Sequence, residues 1–266
     1  MLNLTVCTVM TTLLSDIGFA DGNGYERLKL VQQMQEKGEI IKTANSTYSK
    51  WDEGSGCEVW SKMNGKEIDG RLHAHFQGSA RMRVALIEKM RRASEALSDG
   101  AFLCWSTPCQ GENWVSGKLP FVFDAPDYDR YDGLQLPKLV EVQLTGFAFQ
   151  LTGFESEEDY EEANPPDDEG YYFAARHFIP SVFTAERGEN NELQGCFAEI
   201  SGDVLDTAII TNPATEADFC WAKVLTIGGE VDMVCAPQFL NGYLVTGGVV
   251  CGHVLVMGRL IDERLA

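Results

Sequence analysis

His73 and His75 stand two residues apart, so a strand would turn both imidazoles to one face. With Asp69 or Glu67 as a third donor, such a pair could hold a metal ion and support metal-assisted hydrolysis. Metal centres take three or four ligands, and the spacing supplies no further one. Cys251-Gly252-His253 would likewise put a thiol and an imidazole on one strand face, as a nucleophile and base would need. No third group is in place to orient them. Cys104 and Cys109 have four residues between them, the wrong spacing for a Cys-x-x-Cys knuckle. The sequence holds no Gly-x-x-x-x-Gly-Lys-Ser/Thr loop, no Gly-x-Gly-x-x-Gly loop and no Gly-x-Ser-x-Gly elbow. Asp21-Gly22-Asn23-Gly24 opens like a calcium loop but lacks the later ligands and the closing Glu. The expected cofactor is none.

Charge carries more information than these motifs. The chain of 266 residues has a formal net charge of −19. Residues 1–133 hold 15 Lys and Arg against 18 Asp and Glu, whereas residues 134–266 hold 6 against 22. Nine of those carboxylates fall between Glu155 and Glu169 with no base among them. Glu157, Glu158, Asp159, Glu161, Glu162, Asp167, Asp168 and Glu169 are the expected interaction residues of that stretch. Such a half repels phosphate backbones, which disfavours nucleic acid there, and attracts a basic protein. The concentrated positive patch is Arg81, Arg83, Lys89 and Arg92, the only phosphate contacts the chain offers.

The elements that must position these groups follow from periodicity. Leu28, Val31 and Met34 place a helix over Tyr25–Lys37. Met82, Leu86, Met90, Ala93 and Leu97 recur at three and four, with Ser79 as cap, and predict a second amphipathic helix that carries the arginines. Ser156 can cap a short acidic helix that Asn164-Pro165-Pro166 ends. Strands are expected at Leu2–Leu14, Glu39–Ala44, Cys57–Met63, Ala101–Ser106 and Leu119–Phe123, and from Leu139 a long bent strand or a pair. Five more follow, Gly195–Ser201, Asp203–Thr211, Asp218–Ile227, Glu230–Cys235 and Gly248–Leu260, with Gly228-Gly229 as a hairpin turn. Glu230 and Asp232 alternate with Val231 and Met233, which assigns the two acids to a solvent face.

The expected fold is α+β and mainly antiparallel β. An α+β part with two amphipathic helices spans residues 1–133. An acidic β-rich part spans 134–266, with a small OB-like barrel or a sandwich at about 195–260. No apolar run reaches the roughly 18 residues that cross a bilayer, and the eight cysteines are scattered singly in apolar stretches, as reduced core thiols are. A cytoplasmic location without membrane contact is expected. The first functional expectation is a non-enzymatic protein-interaction module that presents its acidic surface to a basic partner, as an inhibitor, immunity-type or adaptor protein would. The second is an oligonucleotide- or small-ligand-binding module that stacks rings on Trp60, Trp105 and Trp221. A metal-assisted hydrolase using His73 and His75 is the third.

Overall fold

Gly24–Lys37 forms helix α1, which buries Leu30 and Met34 and leaves Leu28 69% exposed. The buried stripe therefore runs through Leu30, Val31 and Met34. A computed structural model describes residues 13–19, 24–92, 98–111, 114–181 and 196–261 of the chain. The strand expected at Leu2–Leu14 lies outside them except for Leu13 and Leu14, which are helical. Asp21-Gly22-Asn23 lies outside them as well. No helix among the described residues is long and apolar enough to cross a membrane.

After α1 come β1 (Glu39–Lys42), β2 (Thr47–Asp52), β3 (Cys57–Asn64), β4 (Glu67–Ile68) and β5 (His73–Phe76). They form a small sheet in the order β1-β2-β3-β4, with β5 also paired to β3. A larger ten-stranded sheet takes the rest: β6 (Met82–Arg91), β7 (Gly100–Ser106), β8 (Leu119–Asp124), β9 (Lys138–Phe154), β10 (His177–Pro180), β11 (Phe197–Thr211), β12 (Asp218–Thr226), β13 (Gly229–Cys235), β14 (Leu240–Gly242) and β15 (Val249–Leu260). Its pairings return on themselves twice. One path runs β11-β12-β13-β9-β15 and back to β11, and another runs β9-β6-β7-β8-β15 and back to β9. Both rings share the β9–β15 ladder, and strands from both sides of residue 133 belong to one sheet. The protein is mostly antiparallel and mixed β structure with few helices.

The second amphipathic helix does not form over residues 82–91, and Ala93 and Leu97 of its expected span lie outside the described residues. Residues 82–91 are β6, which pairs antiparallel with β7 and β9. Met82, Val84 and Leu86 fit a two-residue period, and Met82 and Leu86 fit a helical one as well. Met90 stands four residues further on, an even number and nearly a helical turn, so these apolar positions do not separate the two periods. A register shift between Leu86 and Glu88 interrupts the ladder between them. With sheet partners waiting on both sides, the β-branched and aromatic neighbours decide for strand. The expected strands Gly195–Ser201 and Asp203–Thr211 are one strand, β11, with its own irregularity between Val204 and Asp206. The hairpin turn lies one residue earlier than Gly228-Gly229, because Gly229 already pairs with Thr226. Gly229 has φ of 132°, which only glycine adopts without strain, and a Cβ there would meet the Met82 side chain at 3.1 Å.

Alternation explains how the two sheets stack. Leu144, Ala148, Val254, Val256, Val231 and Met233 point into one apolar cluster of the large sheet. Their neighbours Phe147, Leu255, Met257 and Val234 point into a second cluster, shared with Leu30, Met34, Trp51, Val59 and Phe76. The central strands are thus buried on both faces. Asp232 lies on the second face, fully buried, and not on a solvent face as the alternation suggests.

Candidate functional site

The acidic stretch is where the sequence places it and is open to solvent. Glu157–Ala163 is a helix, α2, with Ser156 accepting a hydrogen bond from the Asp159 N–H at 3.1 Å. Glu157, Glu158, Asp159, Glu161, Glu162, Asp167, Asp168 and Glu169 are all exposed. Tyr160, the inward residue of α2, packs edge-on against Phe154 and donates from its hydroxyl to the Phe173 carbonyl at 3.3 Å. That bond ties α2 to a run of exposed aromatics, Tyr171, Tyr172 and Phe173, at 71%, 66% and 55% exposure. Phe173 lies against the His177 ring, whose Nδ1 is 2.8 Å from the Ala174 carbonyl oxygen. Arg176 closes the segment with ion pairs to Asp203 at 2.5 Å and Glu157 at 3.8 Å. The sequence reading missed the aromatic run, although three consecutive rings directly after nine carboxylates were a visible signal.

The four expected phosphate contacts divide into two pairs. Lys89 donates to the carbonyls of Tyr131 and Asp132, at 3.1 and 2.8 Å. Arg92 is nearly buried and pairs with Asp124 at 3.1 Å, so neither presents its charge outward. Arg81 and Arg83, both exposed, border an open groove of about 620 Å³. Its other walls are the 107–111 segment and Trp114 of the β7–β8 loop, Gly228 of the β12–β13 turn, and Gly229 and Glu230 at the start of β13. Arg81 donates from Nη1 to the carbonyls of Gly78 and Ala80, which fixes one edge of its guanidinium. Arg83 stands opposite Glu141 in the β6–β9 register.

His73 and His75 lie on β5 opposite Trp60 and Glu58, and both are buried. His75 Nδ1 is 3.0 Å from the Glu58 carboxylate, while its Nε2 is buried without a hydrogen-bond partner. Glu58 also accepts from Trp60 Nε1 at 2.9 Å, Lys50 at 2.7 Å and Arg259 at 3.1 Å. Burial alone would raise its carboxyl, but the hydrogen bond and charge interaction with His75, then Arg259 and Lys50, outweigh it and hold the group well below the usual carboxylate range. Among the described residues no three His, Cys, Asp or Glu converge as a metal site would require. Trp60 is fully buried and offers no stacking face. Trp221 is partly buried, its Nε1 donating to Asp232 at 2.9 Å.

Burial and nearby Glu199 push the Cys251 thiol up to about 11, the wrong direction for a nucleophile. Another thiol pair is placed for chemistry. Cys220 on β12 and Cys235 on β13 are direct cross-strand partners, and their thiols are hydrogen-bonded. The proton donated by Cys235 holds the Cys220 thiol below the ordinary range, and the same contact with burial raises Cys235. Directly opposed residues of an antiparallel ladder have Cα atoms about 4.5–5.5 Å apart, within disulfide reach. Treatment with oxidised glutathione is therefore expected to join Cys220 to Cys235, each disulfide formed reducing one glutathione disulfide to two thiols. Peptide mapping of the unfolded, alkylated protein reads the cross-link, and Cys235→Ser abolishes it. Recovery of both thiols in alkylated form would show that the pair does not close.

No family model matches the chain, and no curated protein or solved structure matches it.

Proposed function

We propose that the protein is an interaction module that docks a basic partner on the face formed by α2 and the segment that follows it. The observation that carries this reading is the joining of two features in one small area. Eight exposed carboxylates run along the chain into three exposed aromatic rings, and the Tyr160–Phe173 hydrogen bond ties the helix to the segment that carries the rings. Carboxylates alone keep a chain dissolved. Exposed Tyr and Phe at 55–71% leave apolar area in water that a partner would cover, and aromatic residues are enriched where proteins bind one another. The carboxylates would steer a basic surface inward and set its orientation, while the rings supply the desolvated centre. The finer reading of the C-terminal strands as a small OB-like barrel is supported by the β11-β12-β13-β9-β15 ring of pairings, to which β9 contributes from outside residues 195–260.

Two variants separate the contributions. In Glu157→Gln/Glu158→Gln/Glu161→Gln/Glu162→Gln the helix keeps its shape and loses four charges. A basic protein captured on the immobilised native chain from a source-cell lysate at low salt should associate more slowly with this variant, and its affinity for the native protein should fall about tenfold or more between low and physiological salt. In Tyr171→Ala/Tyr172→Ala/Phe173→Ala the complex should dissociate faster with the salt response retained. Binding that ignores salt and survives both variants would sink the proposal.

A further inference from the structure

The groove beside Arg81 and Arg83 shares no lining residue with α2 or the aromatic run and has a different chemistry. Three elements build it. The start of β6 supplies the two arginines and Met82. The β7–β8 loop leaves the ladder after Ser106–Leu119 and carries Thr107, Cys109 and Trp114 to its rim. The β12–β13 turn and the start of β13 supply Gly228, Gly229 and Glu230, and Leu139 and Leu225 complete an apolar floor. Its volume of about 620 Å³ falls within the roughly 300–1,000 Å³ of small-molecule sites.

Each wall has a distinct recognition chemistry. Arg81 and Arg83 both line the groove, and backbone carbonyls hold the Arg81 guanidinium by Nη1, which leaves its other nitrogens for a ligand. Paired guanidiniums are suited to phosphate, which accepts their donors two at a time. Trp114 offers a ring face for a planar heterocycle. Glu230, held by Lys223 at 2.8 Å, keeps acceptor capacity, and a carboxylate acceptor at that position suits sugar hydroxyls. Gly228 and Gly229 also line the groove, where a Cβ would press on Phe178 and Leu119 at the first and on Met82 at the second. Thr107 at the rim holds φ of 44°, a left-handed conformation that costs a non-glycine residue energy and that clusters at ligand sites.

We propose that this groove binds a nucleoside monophosphate, with the phosphate on Arg81 and Arg83, the base against Trp114 and the sugar hydroxyls toward Glu230. A single nucleotide fits where a polynucleotide does not. Two outward arginines cannot offset the repulsion between a long phosphate backbone and a chain of net charge −19.

Adenosine monophosphate, adenosine and inorganic phosphate, each titrated into the full chain by calorimetry, test the proposal. The nucleotide should bind at submillimolar concentration, and the two fragments at least about tenfold more weakly, because each lacks one of the two anchors. Arg83→Gln and Trp114→Ala, both at partly or fully exposed positions, should each weaken the nucleotide about tenfold or more. Cys109 lies on the rim and is exposed, so the nucleotide should also slow its alkylation by iodoacetamide. Three results would overturn the assignment: no binding of the nucleotide at millimolar concentration, phosphate binding as tightly as the nucleotide, or unchanged affinity in both variants. None of these readouts touches α2, so failure here leaves the docking face to stand on its own test.

Discussion

Glu58→Gln is expected to lower the unfolding free energy at neutral pH by about 3–5 kcal/mol, the range for removing one partner of a buried ion pair. The carboxylate is fully buried and satisfies Lys50, Arg259, His75 and the Trp60 indole at once. The amide keeps the shape and removes the charge, which leaves two buried or half-buried cations short of an anion. Lys50 retains Asp52 at 3.5 Å and Arg259 retains Asp127 at 3.2 Å, so the lower end of the range is expected. Arg259 also stacks over Trp60 at 4.6 Å and belongs to β15 of the large sheet, whereas Glu58 belongs to β3 of the small one. The pair therefore fastens the two sheets to each other.

The pH dependence separates charge from shape. The folded carboxyl of Glu58 titrates below its unfolded value, which is about 4.3. Its contribution is therefore complete above the unfolded pKa and is lost as pH falls toward the folded one. The difference between native protein and Glu58→Gln in urea unfolding should narrow by about 1 kcal/mol on going from pH 7 to pH 3.5. Asp129 and Asp69, also held below their usual range, act equally in both proteins and cancel from the difference. A gap of the same size at both pH values would show that the variant acts through packing alone.

How far the sequence revealed this molecule depends on what a residue needs to be understood. The helix α1, the short helix α2 with its Ser156 cap, and most of the strands follow from local period and local capping, which act within a few residues. β6 does not, because Met82, Val84, Leu86 and Met90 fit a two-residue period while Met82, Leu86 and Met90 also fit a helical one, and the decision falls to β7 and β9. The exposed carboxylates after Glu155 were legible because charge crowding permits only solvent. Trp114 was not, since an aromatic in a loop has no period, and only the approach of β6 and the β12–β13 turn gives it a role. Arg81 and Arg83 were picked out by charge, but on the expected helix they would have shared a patch with Lys89 and Arg92. The strand sends those two to carbonyls and to Asp124. Glu58 and Asp232 were the least legible. An acid in an alternating strand resembles a solvated one until a second sheet is laid over it.

Asp232→Ala shows the cost of that second sheet most directly, and is expected to remove about 3–5 kcal/mol of stability. The carboxylate lies fully buried on β13 and accepts four hydrogen bonds. Two come from the backbone N–H groups of Ser79 and Ala80, at 3.2 and 3.0 Å, in the segment between β5 and β6. The others come from Gln143 Nε2 at 2.8 Å and Trp221 Nε1 at 2.9 Å, on β9 and β12. Truncation leaves four donors facing a cavity, and each unsatisfied buried donor costs about 1–3 kcal/mol unless water enters. Gly78 shows how closely the segment is pressed to this carboxylate: a Cβ there would fall 2.1 Å from the Asp232 side chain. Two variants then differ in kind. Gly78→Ala drives the segment off an intact acceptor, and Asp232→Ala removes the acceptor from an intact segment. Because both break the same contact, the double variant should lose less stability than the sum of the singles, with a coupling of about 1 kcal/mol or more. Amide exchange at Ser79 and Ala80 should accelerate in each single variant, since the same carboxylate protects both N–H groups. Additive losses with unchanged exchange would mean that the segment is held by the Phe76 and Phe219 packing beside it and not by Asp232.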